Sequence, residues 1–165
     1  MTQKEMLALV RKLISDEQAT GFTEGGNLEE PEGTQELLNY LDRAVDEVSK
    51  RLAEAKDTRL LKSLTVTNGR AVPDDFLGFA GLVPVKIRNK TMNWSSTEYD
   101  CEVNYFARLP YVSGFSENTS LPYEKDQYMT IAALAAIYAL NKHEFNISQD
   151  LTLLGMGAQN GNTQR

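Results

Sequence analysis

A chain of 165 residues, 41% hydrophobic and 24% charged, is sized for one domain with a real core and has an ordinary globular composition. Its net charge of −6 argues against a nucleic-acid-binding face, because phosphate contacts need clustered Lys and Arg. A single cysteine, Cys101, and a single histidine, His143, exclude an internal disulfide and a His/Cys metal cluster within one chain.

Residues Thr2 to Ile14 read as a helix with Met6, Leu9, Val10, Leu13 and Ile14 on one face. These first residues are charged throughout and lack the apolar centre of a signal peptide, so the expectation is a protein that is not secreted. No apolar run reaches the roughly 18 residues of a membrane span. Ser15 to Gly33 is glycine-rich and acidic and breaks the period, as an exposed loop does. Acid is concentrated early: residues 1–60 hold 13 Asp/Glu against 8 Lys/Arg, and the remainder holds 10 against 9.

A second helix is expected from Thr34, as N-cap, to about Lys56. Leu37, Leu41, Ala44, Val45, Val48, Leu52 and Ala55 form its apolar stripe. The period then shortens. Leu64 to Thr67 is β-branched and meets Asn68-Gly69, a hairpin-turn signal. Arg70 to Val72 runs extended into Pro73, Asp74-Asp75-Phe76 forms a corner, and Leu82 to Arg88 alternates as a half-buried strand. Asn89-Lys90 turns the chain into a return strand around Trp94, and Glu102 to Leu109 is the strongest strand. Tyr111 to Leu121 forms a polar loop. From Tyr123 to Phe145, opening after Pro122, the chain reads as a helix apolar on nearly every side, Ile131 to Leu140 carrying no charge. A stub over Ser148–Leu154 precedes a tail with little to bury.

The expected fold class is therefore α+β and mainly helical. Two long packed helices and a short N-terminal helix carry a small antiparallel β-sheet or hairpin insertion. Residues 1–154 are taken as one domain and 155–165 as a flexible tail.

No catalytic, cofactor or metal motif emerges. His143 beside Glu144 suits a helix C-terminus better than acid/base work, since neighbours on a helix diverge by about 100°. Cys101 reads as a small buried hydrophobe. The pairs Asp74-Asp75 and Asp100 with Glu102 lack the ligand count of a calcium loop. Trp94, Tyr99, Tyr105 and Phe106 crowd the strand region, where they either pack the sheet or, for Trp94 at an exposed tip, anchor a neighbouring subunit. Met156 joins these four as a candidate interface residue.

The order of segments resembles the head-to-tail connector, or adaptor, proteins of tailed bacteriophages. Leu37, Leu38, Asn39, Leu41 and Ala44 carry the likeness in the second helix; Val72, Pro73, Asp75 and Phe76 carry it at the corner. Tyr105, Ala107 and Pro110 continue it in the strand, and Ala132, Ala133, Ala136 and Leu140 in the last helix. The resemblance spans roughly residues 1–150. It implies a virion structural protein without enzyme activity or cofactor. Such proteins form a homo-oligomeric ring of about twelve copies in the neck, between capsid and tail. Portal protein and tail or nozzle proteins are the implied partners, with no membrane contact and assembly from the host cytoplasm. DNA would pass through the lumen without specific binding, which an acidic wall suits. A tail-completion protein shares the ring logic, and a small enzyme using His143 is the remaining alternative.

Overall fold

The computed structural model describes residues 1–17, 31–94 and 99–141, which form three helices and six strands. They fall into two compact units. One comprises Met1–Ala44 and the residues from Tyr111 onward, the other Val45–Pro110.

In the first unit, helix α1 (Gln3–Glu17) starts with a reciprocal cap. The Glu5 N–H donates to the Thr2 hydroxyl at 3.2 Å, and the Thr2 N–H donates to the Glu5 carboxylate at 2.8 Å. Met6, Val10 and Ile14, one turn apart, are fully buried, as the periodicity predicts. Helix α2 (Pro31–Glu54) begins three residues before the expected cap, with proline in its first turn. Thr34 instead ties α1 to α2, its hydroxyl accepting from the Arg11 guanidinium at 3.0 Å.

Helix α3 (Lys125–Leu140) starts later than Pro122 suggests, because Glu124 and Gln127 form a capping box. The Glu124 N–H donates to the Gln127 side chain at 2.9 Å. Ile131, Ala132, Leu134, Ala135, Ala136 and Ala139 are buried, and the small residues let α1 pack close against α3. Arg43 of α2 lays its guanidinium over the Tyr138 ring, 4.2 Å from the centroid. The segment between Tyr111 and Glu124 is held by the amino-terminal residues. Gln3, itself buried, donates to the carbonyls of Val112 (3.0 Å) and Phe115 (2.8 Å). The Leu121 N–H donates to the Met1 carbonyl at 2.8 Å. Lys142, His143, the Ser148–Leu154 stub and the tail lie outside the described residues.

The second unit overturns the expectation of a mainly helical chain with a small hairpin insertion. Its six strands are β1 (Leu61–Val66), β2 (Arg70–Ala71), β3 (Phe76–Phe79), β4 (Val85–Arg88), β5 (Thr91–Trp94) and β6 (Cys101–Ala107). They form two three-stranded antiparallel sheets, ordered β1-β6-β3 and β2-β5-β4. Val66 and Val103 from one sheet and Val85 and Met92 from the other share one apolar cluster, so the sheets face each other. Leu64, Phe76, Phe79 and Trp94 pack around it. The pairing into two sheets was hard to see because the chain keeps changing sheets, and only β4 and β5 pair as a consecutive hairpin among the described strands. The run Phe76 to Val85 has no polar side chain, and its missing alternation hides both β3 and the crossing to β4.

One turn reverses the sequence-based reading of this region, and a second bears it out. Asn68-Gly69 is not a hairpin: β1 and β2 belong to different sheets. Gly69 has φ +81°, whereas Asn68 stays at negative φ, and the Arg70 N–H closes on the Thr67 carbonyl at 3.2 Å. That is a type II geometry, which redirects the chain. The expected return at Asn89-Lys90 is a two-residue hairpin between paired Arg88 and Thr91, with φ +49° and +60° as a type I′ turn requires. Lysine at the second position bears the left-handed penalty that glycine avoids. Lys90→Gly is therefore expected to stabilise the fold by about 0.5–1 kcal/mol. Thermal denaturation followed by circular dichroism should show a rise of a few degrees, and an unchanged or lower midpoint would contradict the turn assignment.

Candidate interaction surface

The corner at Pro73–Phe76 sets the geometry of the β unit. The Phe76 N–H closes a turn on the Pro73 carbonyl at 3.0 Å. This carries Asp75 over the facing pair Lys62 and Tyr105, which lie opposite each other across β1 and β6. The Asp75 carboxylate accepts from the Lys62 ammonium at 2.5 Å and from the Tyr105 hydroxyl at 3.1 Å. Phe76 stacks on the Tyr105 ring at 5.6 Å and meets Phe79 edge-on at 4.9 Å. Burial alone would raise the Asp75 carboxyl, but the hydrogen bond and charge of Lys62, with the Tyr105 hydrogen bond, hold it below the usual range. Burial first, and then the Asp75 charge and hydrogen bond, push the Tyr105 phenol up.

The candidate interface residues separate by position. Tyr105 and Phe106 are buried within their own chain. Trp94 is not at a tip: it sits at the end of β5 away from the Asn89-Lys90 turn, half-buried against the shared cluster. Its indole N–H donates to the Tyr99 carbonyl at 2.9 Å. Tyr99 itself is 73% exposed. Met156 and His143 lie outside the described residues. Cys101 is half-buried on β6, beside the cluster. Among the described residues, no three His, Cys, Asp or Glu side chains gather as a metal site would need.

Sequence reasoning passed over the apolar groups that the two units hold in water. Leu82, on the crossing between β3 and β4, is fully exposed (106%), just after Gly81 at φ +118°. Ile87 on the edge strand β4 is 42% exposed, and Met129 on α3 is 44% exposed. The polar-free run from Phe76 to Val85 was the available signal, since such runs are seldom left uncovered without a use.

No protein-family model, curated protein or solved structure matches this chain.

Asp75 gives a pH-dependent test of the corner. Its folded pKa is lowered, so its contribution is complete above the ordinary carboxylate value of 3.8 and is lost as pH falls through the lower folded value. Lys62 is more than half exposed, so solvent screens that arm of the contact. Asp75→Asn should cost about 1 kcal/mol at neutral pH. In urea denaturation, the gap between the two proteins should close at acid pH; a gap independent of pH would refute the charge-based account.

Proposed function

We propose that the chain is a structural virion protein: a head-to-tail connector that joins capsid portal to tail as a ring and continues the DNA channel. The order of segments supports this reading, from the leucine-spaced α2 through the Pro73–Phe76 corner and strand β6 to the alanine-rich α3. The observation that carries it is the presence of uncovered apolar side chains on both units, Leu82, Ile87 and Tyr99 on one and Met129 on the other. A cyclic ring uses two different surfaces on every copy, each meeting the other kind on its neighbour. Separate patches on separate units supply that requirement, whereas a single pocket would suit a small-molecule reaction. The partners are further copies of the chain, the portal above and tail or nozzle proteins below. DNA passes through the lumen without sequence-specific contact, and no reaction is assigned to the protein.

The direct test is quantitative mass spectrometry of purified particles together with cryo-EM of the neck. A ring of about twelve copies beneath the portal is the expected result. A copy number near about six would favour a tail-completion protein, and absence of the chain from particles would overturn the reading.

A further inference from the structure

Asparagine followed by glycine is the dipeptide most prone to succinimide formation, because glycine has no side chain to hinder attack of its backbone nitrogen on the asparagine carboxamide. The pair occurs twice in the chain, at Asn68-Gly69 and at Asn160-Gly161, the second outside the described residues. Asn68 and Gly69 are both exposed, so burial does not shield them from water. Backbone geometry decides whether they react.

Two features hold the nucleophile back. The Gly69 N–H donates to the Met92 carbonyl on β5 at 3.0 Å, which engages the proton that must leave before the nitrogen can attack. This bond lies beside the Arg70–Met92 pair and extends the β2–β5 ladder by one residue. The turn itself is the second feature. A type II turn sets ψ of its first central residue, here Asn68, to about +120°. Ring closure needs ψ of the opposite sign, so the folded turn keeps the Gly69 nitrogen away from the Asn68 side chain. The restraint is thin, however. β2 has two residues and pairs only with β5, and the Val72 N–H bond to the Lys90 carbonyl at 3.0 Å closes its far end. So short a ladder opens at less cost than the whole fold.

We propose that Asn68 is a guarded deamidation site, held inert while β2 is paired with β5 and converted irreversibly when that pairing opens. On opening, the Gly69 nitrogen bonds to the Asn68 side-chain carbonyl carbon, and the carboxamide nitrogen leaves as ammonia, taking the proton that the Gly69 nitrogen gives up. The resulting five-membered succinimide is then hydrolysed by water. One of its two ring C–N bonds breaks, the ring nitrogen regains a proton, and the freed carbonyl becomes a carboxylate. Cleavage on the side-chain side gives aspartate. Cleavage on the main-chain side gives isoaspartate, whose backbone runs through the former side chain. Isoaspartate adds one backbone atom to the crossing between the two sheets, so Gly69 cannot regain Met92 in the original register. A transient opening is thereby made permanent. This chemistry does not depend on whether the chain forms a ring.

The test incubates the full chain at mildly alkaline pH, folded in buffer, in urea below the unfolding transition, and unfolded in urea. Peptide mapping by mass spectrometry, with fragmentation that distinguishes isoaspartate from aspartate, follows Asn68 and Asn160 separately. Conversion at Asn68 should be slower by about tenfold or more in the folded chain than in the unfolded one, and should accelerate in sub-transition urea. Chains converted while unfolded and then refolded should melt at a lower temperature than fresh protein. Asn68→Gln closes a larger ring far more slowly, so this variant should regain its own starting midpoint after the same treatment. Asn68→Asp carries the new charge without the lengthened backbone and should melt as the wild type does. Equal rates folded and unfolded, a folded-state rate indifferent to urea, or isoaspartate chains that melt like fresh protein would overturn the proposal. So would a treated Asn68→Gln chain that loses stability as the wild type does, which would move the damage to another residue.

Discussion

The β unit depends on a shared apolar cluster, because neither of its sheets is sufficient alone. Its longest strand has seven residues, β2 has two, and each sheet has three strands. Sheets of that size need a second layer to cover an apolar face before they are stable in water. Val66, Val85, Met92 and Val103 provide it jointly, two from each sheet. The chain must therefore cross from sheet to sheet four times, between β1 and β2, β2 and β3, β3 and β4, and β5 and β6. It tolerates no long strand that would commit it to one layer. The Asp75 carboxylate adds a polar tie at the corner to the one that Ser63 on β1 makes with Asn104 on β6, the hydroxyl donating to the amide oxygen at 2.8 Å.

The helical unit solves its own problem differently. α3 is too apolar all round to have a solvent face of ordinary kind, so α1, α2 and the segment after Tyr111 must cover it. Hydrogen bonds fix that segment where hydrophobic contact would leave its direction undetermined. Gln3 holds two of its carbonyls, and Asp42 on α2 accepts from the Ser113 N–H at 3.1 Å. Burial of Gln3 is tolerable because its amide finds both partners.

Helices were legible in the sequence because their signals are local and repeated. Met6, Val10 and Ile14, or Leu37, Leu41 and Ala44, declare a period within a few turns. Strand β6 and the Asn89-Lys90 return were legible for the same reason, being a long alternating run and an adjacent pair. The two-sheet architecture was not. It rests on pairings between residues far apart, Leu61 with Phe106 or Phe79 with Tyr105, and on the sign of φ at Asn68, which the dipeptide alone does not determine. Aromatic character also misled as a guide to surface. Tyr105 and Phe106 are both covered, on opposite faces of β6, while the uncovered groups include the aliphatic Leu82 and Ile87. Composition identifies what favours contact; only the fold tells which contacts are already made.

The chain has a single tryptophan, and its place beside the β cluster makes it a selective reporter. Indole emission senses the polarity around Trp94, so it follows the integrity of the strand layers. Far-ultraviolet ellipticity is dominated by the three helices. Monitoring both signals through one denaturation would show, without any label, whether the strand layers melt together with the helices, α2 having residues in both units.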